Sequence, residues 1–337
     1  MKPKQIVCAA VPILVLGAWV APNGSVRTLR VSVLGRPAEA APAGPRAPNG
    51  TAPAPDGPYR FVAIDAPGSV GTLALGINDG GQIVGAYADT AHPECLTTLR
   101  RCHGFLMDRD TFVTIDVPGA MTTFAQGLND QGQIVGQYLD AAGVNRGFLL
   151  EDGEFTQIDA PDALVTSAEM IDDKGQIVGI FDDGPDPSLS RHGFLLVDDD
   201  FSPIDFPGAS STSHLAMNDG GQIVGDFFDG HRFHGFFLDG DDFTQLDVPA
   251  AAETSAEGIN DRGQIVGQFF VELGGQPRGF VQTGSDFVPL DAPMATYTIA
   301  EDINDSGVIV GQFQSVAGTL HGFVATPNPQ ASPRPRR

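Results

Sequence analysis

The stretch NDGGQIVG at residues 78–85 is the first of six copies of one pattern, N-D-x-G-Q-I-V-G. The copies begin at Asn78, Asn129, Asp172, Asn218, Asn260 and Asn304. Each copy starts thirteen residues after the Asp of an [I/L]-D-x-P element, and a Thr always stands seven residues after that Asp. A block that recurs six times at constant length predicts a repeat architecture with one structural unit per copy.

A second motif, H/R-G-F, follows each copy at a variable distance. It begins at His103, Arg146, His192, His234, Arg278 and His321. From the last Gly of QIVG to the Gly of H/R-G-F the spacing runs from 10 to 19 residues, whereas the rest of the repeat is constant. We call this variable segment the elastic loop. Loops that vary over a rigid scaffold commonly carry binding sites, so the elastic loops mark the face where we expect function.

Each repeat predicts four short strands and shows no helical periodicity. N-D-x-G supplies a tight turn between the first two strands, and an Asp/Gly-rich turn separates the last two. Six such units predict an all-β fold, a six-bladed β-propeller of four-stranded blades. The folded region opens on a lone fourth-type strand at 61–65 and ends on a lone third-type strand at 322–324, so the N-terminal strand is expected to close the last blade. A solenoid or a pair of β-sandwiches is the alternative.

These motifs resemble the HAF-repeat family of bacterial extracellular proteins, whose repeats carry N-D-x-G-Q-[I/V]-V-G followed by H-[A/G]-F. Here the second motif is HGF or RGF and never HAF. The resemblance covers residues 59–326, and six copies in register make it specific. It implies an exported bacterial protein. It implies no activity, because no biochemical role is established for the family.

The 337-residue chain divides into four predicted segments. Residues 1–21 place two lysines before an apolar run, the order of a signal peptide or an N-terminal membrane anchor, with cleavage as late as residue 40. Residues 22–58 form a Pro/Ala-rich linker, residues 59–326 the propeller, and residues 327–337 a disordered tail. The protein is therefore expected to be secreted, periplasmic or at the cell surface. Membrane contact is expected only if the N-terminal segment is an uncleaved anchor.

The net charge limits the classes of partner, and the cysteines predict a disulfide. A formal net charge of −23 repels phosphate backbones, so nucleic acid is not expected as a partner, whereas cationic ligands are favoured. Cys95 and Cys102 bracket a short stretch, which predicts a loop-closing disulfide in an oxidising compartment. A zinc site that also uses the flanking His92 and His103 is the alternative.

Four elastic loops carry an Asp four residues after the QIVG glycine, namely Asp89, Asp140, Asp183 and Asp229. A ring of carboxylates on one face would suit Ca²⁺ or a basic partner, and a solvated acidic rim gives the same pattern. We take these four residues as the candidate binding residues. No cofactor is expected apart from this Ca²⁺.

The first strands offer weak catalytic candidates. His214 stands where the other five copies have Ala, and the next position holds Glu169, Glu257 and Glu301 in three copies. If the first strands line a central channel, these groups converge and could act as acid and base, although a polar, water-filled channel would look the same. The chain has no G-x-S-x-G, P-loop, H-E-x-x-H or G-x-G-x-x-G motif, which weakens an enzymatic role.

Taken together, the sequence favours a non-catalytic, exported binding scaffold with its ligand face on the elastic loops. The ligand class stays open between glycan, peptide and protein. A hydrolase or lyase that acts on glycans or esters through channel carboxylates is one alternative. Ca²⁺-dependent adhesion is the other.

Overall fold

The computed structural model describes residues 57–98, 100–184 and 190–329. The predicted signal or anchor at 1–21, most of the linker at 22–58 and the end of the tail at 327–337 lie outside the described residues. The described part of the chain holds 24 strands and one short helix. It contains no helix of the length and apolar character that would cross a membrane.

The first three blades follow one another along the chain. Blade 1 comprises β2 (Ser69–Ile77), β3 (Ile83–Asp89), β4 (His103–Asp108) and β5 (Thr111–Ile115). Blade 2 comprises β6 (Thr122–Leu128), β7 (Ile134–Leu139), β8 (Asn145–Glu151) and β9 (Glu154–Ile158). Blade 3 comprises β10 (Val165–Ile171), β11 (Ile177–Asp182), β12 (Arg191–Val197) and β13 (Asp200–Ile204).

The last three blades repeat this order, and only the sixth borrows a strand. Blade 4 comprises β14 (Ser211–Met217), β15 (Ile223–Phe228), β16 (Phe233–Asp239) and β17 (Asp242–Leu246). Blade 5 comprises β18 (Glu253–Ile259), β19 (Gln264–Phe270), β20 (Arg278–Thr283) and β21 (Asp286–Leu290). Blade 6 comprises β22 (Ala295–Ile303), β23 (Ile309–Ser315), β24 (Leu320–Pro327) and β1 (Tyr59–Ile64).

The six antiparallel sheets form a ring, so the predicted six-bladed β-propeller is confirmed and the solenoid and sandwich alternatives are wrong. The predicted closure is also confirmed, because β1 pairs with β24 in the register Phe61↔Ala325. This pairing joins the two ends of the domain in one sheet. The first strands β2, β6, β10, β14, β18 and β22 contact their neighbours around the ring and surround its axis.

The hydrophobic core lies between blades and explains why two repeat positions never vary. The Phe of each H/R-G-F motif is at most 1% exposed. In blade 1 this ring packs on Gly85 of the QIVG motif, where an added Cβ would lie 2.0 Å from the Leu73 carbonyl oxygen and 2.8 Å from the Phe105 ring. A side chain at that glycine would therefore displace the ring. Losing one such buried Phe side chain costs about 3–5 kcal/mol.

The recurring Thr holds the D-x-P loop that precedes each first strand in a fixed conformation. In blade 1 the Thr72 hydroxyl accepts a hydrogen bond of 3.0 Å from the amide of Ala66, the residue after the loop Asp. The same bond of 2.9–3.0 Å forms in the other five blades. Because this Thr is at most 1% exposed, the bond satisfies a buried donor and fixes the loop.

One feature departs from the all-strand expectation. The longest elastic loop, in blade 1, contains the four-residue helix α1 (Cys95–Thr98). The predicted disulfide is confirmed, since Cys95 and Cys102 are bonded and both are at most 2% exposed. The bond closes the loop over a hydrophobic cluster that includes Leu73 and Phe124.

Candidate functional site

We call the side of the ring that carries the elastic loops and the D-x-P loops the elastic-loop face. There, the basic residue of each H/R-G-F motif contacts the Asp of a D-x-P element. The pairs are His103–Asp116, Arg146–Asp159, His192–Asp205, His234–Asp247, Arg278–Asp291 and His321–Asp65. The four histidine Nδ1 atoms lie 2.8–3.0 Å from the carboxylates. Sequence reasoning missed these pairs, although their thirteen-residue spacing was a usable signal. Their recurrence in every blade marks them as structural.

The four candidate binding residues lie beside these pairs, each in its own loop. Asp89 accepts hydrogen bonds from the amides of Ala91 and His92, and Asp229 accepts them from His231 and Arg232. These residues cap their loops, as an Asx turn does.

Asp140 and Asp183 differ in how tightly they are held. Burial raises the pKa of Asp140, but bonds donated by the Val144 amide and the Arg146 guanidinium outweigh it and lower that pKa overall. Asp183 has a side chain 55% exposed and lies 3.7 Å from His192 Nε2. Each of the four thus has neighbours within its own blade. Their role in binding stays a prediction.

The elastic-loop face also carries exposed apolar side chains. Among the described residues, nine large hydrophobic side chains are exposed, and six lie on this face. Five of the six belong to consecutive loops of blades 5, 6 and 1, and we call them the loop-face patch: Val70, Val271, Leu273, Met294 and Val316. Their exposure ranges from 40% to 74%.

Two contacts show that these loops are neighbours. The Thr298 amide of blade 6 donates a 3.4 Å hydrogen bond to the Pro277 carbonyl in the elastic loop of blade 5. An added Cβ at Gly71 of blade 1 would lie 3.7 Å from the Leu320 Cβ in blade 6. Large exposed apolar patches typically mark a surface that binds a partner.

A second set of functional groups lies along the axis, where blade 4 breaks the repeat. His214 has a φ of +51°, and the register of β14 on β15 shifts between Ser213 and Ala216. The two residues between them, His214 and Leu215, have the reverse of the arrangement in the other blades, where the first of the two positions is buried and the second is more exposed. Leu215 is 2% exposed and belongs to the core cluster around Ile204, whereas the His214 side chain is 29% exposed. His214 therefore stands at the position where blades 3, 5 and 6 present a glutamate.

Asp226 holds the His214 imidazole in place. Its Oδ2 lies 3.0 Å from His214 Nδ1, and its carboxylate accepts hydrogen bonds of 2.6 Å from the hydroxyls of Ser213 and Ser255. Asp226 is 3% exposed. Sequence reasoning missed it, although it is the one acid at a position that is otherwise Ala, Gln or Ile.

Three glutamates complete this cluster. Glu169 accepts a 2.7 Å hydrogen bond from the Leu215 amide, which ties blade 3 to blade 4. Glu257 and Glu301 accept hydrogen bonds of 2.9 and 2.7 Å from the side-chain amides of Gln268 and Gln312. All three glutamates are half-buried.

The proton affinity of the cluster is strongly perturbed. Burial raises the pKa of Glu169 to about 7, with partial relief from His214. Burial and the neighbouring Glu257 raise the pKa of Glu301 to about 8. Burial disfavours the charged imidazole of His214, but Glu257 and Asp226 outweigh it, so the pKa of His214 lies well above its usual value.

The structure thus brings together all four catalytic candidates of the sequence, His214, Glu169, Glu257 and Glu301. An imidazolium and a protonated carboxyl can donate protons, and a neighbouring carboxylate can accept them or bind a cation. A catalytic role stays a prediction. Within residues 57–98, 100–184 and 190–329, no group of three or more His, Cys, Asp or Glu could hold a metal ion. Ca²⁺ binding stays a prediction as well.

The opposite end of the axis, formed by the N-D-x-G turns, holds a cavity of about 90 Å³. In five blades the side-chain amide of the motif's first residue donates to the backbone carbonyl of the corresponding residue in the next blade, at 2.9–3.2 Å. Blade 3 has Asp172 instead. This residue is 3% exposed, and its Oδ2 has no hydrogen-bond partner among the described residues.

Comparisons with known proteins give structural neighbours only. No protein-family model matches the chain, and no curated protein does. A putative gluconolactonase is 13% identical at a TM-score of 0.48, with 80% of this chain and 92% of that chain covered. A lectin from Aleuria aurantia is 11% identical at 0.47, covering 79% and 98%. TolB from Acinetobacter baumannii is 12% identical at 0.46, covering 76% and 54%.

Proposed function

We propose that this protein is an exported binding scaffold that captures a basic, partly apolar polypeptide segment on its elastic-loop face. The observation that carries the proposal is the loop-face patch, five exposed apolar side chains on consecutive loops of an otherwise acidic protein. Apolar side chains of the partner would cover the patch, and its Lys or Arg side chains would meet the negative field of the domain.

The rigid support beneath the loops favours binding without rearrangement. Each D-x-P loop is fixed by its Thr, and each H/R-G-F side chain contacts a loop Asp. A preformed surface loses less conformational entropy when a ligand binds. The elastic loops can therefore vary in length while the strands that carry them stay constant.

The test uses a random peptide library displayed on phage and the full-length chain. We expect enriched sequences to combine apolar residues with Lys or Arg, and the synthetic peptides to bind in fluorescence anisotropy. The double substitution Leu273→Asp and Val316→Asp should weaken binding by about tenfold or more, because it places charge in the apolar contact. Val113→Asp with Val288→Asp is the matched control, since these valines are exposed on outer strands.

Two outcomes contradict the proposal. One is a library without enriched sequences. The other is enriched peptides that bind the loop-face variant as well as they bind the unaltered protein.

A further inference from the structure

The axial cluster contains an acceptor that nothing in the described structure uses. Gln268 is 6% exposed, and its amide nitrogen donates to Glu257. The oxygen of the same amide has no hydrogen-bond partner. A buried acceptor without a donor is costly, at about 1–3 kcal/mol in general, so its presence beside Glu257 points to a donor supplied from outside the chain.

We propose that the three glutamates of the axial cluster, Glu169, Glu257 and Glu301, together with Gln268, bind the ammonium group of an organic amine. An ammonium group brings three N–H donors and one positive charge and accepts no hydrogen bonds. Those properties match the free amide oxygen and the surplus of carboxyl groups over the single imidazole.

The walls of the channel suit an amine that carries an alkyl chain. One position of the first strand carries a glutamate in blades 3, 5 and 6 and is taken by the His214 imidazole in blade 4. The same position holds Leu75 in blade 1 and Gln126 in blade 2. Leu75 packs against the hydrophobic cluster that contains Leu73 and Phe124, so the wall is apolar on this side. An alkylammonium ion can therefore direct its charge to blades 3, 5 and 6 and its chain to blade 1.

Solvent reaches this site, because the His214 side chain is 29% exposed and the three glutamates are half-buried. The site belongs to the first strands rather than to the loops. It is therefore separate from the loop-face patch, and it does not depend on the proposed function.

Isothermal titration calorimetry of the full-length protein with n-butylammonium chloride tests the proposal. We expect saturable binding with a Kd of about 1 mM or tighter, an affinity that a ligand of this size can supply. The uncharged isostere 1-butanol should not bind. Because the pKa values of Glu169 and Glu301 lie near 7 and 8, amine binding at neutral pH should release protons, which titrations in buffers of different ionisation enthalpy detect.

Two double variants locate the binding. Glu257→Gln with Glu301→Gln should weaken amine binding by about tenfold or more, the effect of losing charged hydrogen-bond acceptors. Glu151→Gln with Glu154→Gln removes the same charge from the outer hairpin of blade 2 and should leave the affinity unchanged. Leu273→Asp with Val316→Asp should also leave it unchanged, which separates a failure of this proposal from a failure of the loop-face proposal.

Several results would overturn the amine site. These are the absence of saturable binding, equal binding of 1-butanol, and unchanged affinity in the Glu257→Gln/Glu301→Gln variant. Tighter binding of calcium chloride that the same variant abolishes would also overturn it, since the site would then select a metal ion.

Discussion

Replacing Asp172 with asparagine is expected to stabilise the propeller. At this position the other five blades have Asn, whose side-chain amide bonds a carbonyl of the next blade. Asp172 uses one carboxylate oxygen for the amides of Lys174 and Gln176, and leaves the other without a partner at 3% exposure. An asparagine at this position would keep the acceptor and add the missing donor toward Asn218.

The magnitude follows from the cost of an unsatisfied buried polar group, about 1–3 kcal/mol. For a domain of this size about 1 kcal/mol shifts the melting temperature by about 2 °C, so Asp172→Asn should raise it by about 2–6 °C near neutral pH. The reciprocal change Asn218→Asp is the matched control. It removes the donor to the Asn260 carbonyl and should lower the melting temperature by a similar amount.

The gain should depend on pH with a defined sign. Burial raises the pKa of Asp172, although amide bonds from Gln176 and Lys174 partly oppose it. Because the folded-state pKa exceeds the unfolded value, the cost is fully present above the folded-state pKa and declines as the pH falls through it. Protonated Asp172 can itself donate, so the advantage of Asn should shrink toward about pH 4.

Differential scanning calorimetry of the two proteins across this pH range gives the answer. A variant no more stable than the wild type at neutral pH would refute the reasoning. A gain that stays constant with pH would refute the assignment to an ionised Asp172.

Three further perturbations test other parts of the structure. Cys95→Ser with Cys102→Ser should lower stability to urea by about 2 kcal/mol, because it frees a short loop in the unfolded chain, and an unchanged midpoint would contradict this. His234→Ala should cost about 1–3 kcal/mol, since His234 is 6% exposed between two carboxylates. His192→Ala, at a 33% exposed site, should cost less, and equal losses would contradict the role of burial. Glu301→Gln should raise the melting temperature most above pH 8 and progressively less toward pH 6. The raised pKa of Glu301 makes its ionisation a cost to the folded state that is fully present above about pH 8 and declines as the pH falls toward the unfolded-state pKa. A pH-independent effect would contradict this.

The fold could be predicted from the sequence because its decisive signals are local and repeated. Constant spacing from the D-x-P element to N-D-x-G fixes one first strand and one turn per blade, and the lone strands at the two ends predict the closure that β1 and β24 make. The α1 helix could not be predicted, because it lies in the one elastic loop that a disulfide closes.

The axial cluster could be predicted only in part. His214 was identifiable as a departure from Ala, and so was the run of glutamates in the neighbouring position. The exchange of His214 with Leu215 depends on a backbone φ of +51°, which residue types do not reveal. Asp226 was equally visible as a departure. It was overlooked because an acid on a second strand gains meaning only when the strand pairing places it opposite Ser213.

The cost of these departures argues that they serve a purpose. A left-handed conformation at a residue other than glycine costs about 1–2 kcal/mol, and burying the Asp226 carboxylate adds a desolvation penalty. Blades 2 and 6 keep Ala and Gln at the two positions and avoid both costs, so the fold itself does not require His214 or Asp226. Strain that persists in one repeat while its neighbours avoid it is typical of a functional site. By the same reasoning, the His/Arg–Asp pairs of the elastic-loop face are structural, because they are present in all six blades. Function at the axis should therefore be sought in blade 4 and the glutamates around it, where the repeat is broken at an energetic cost.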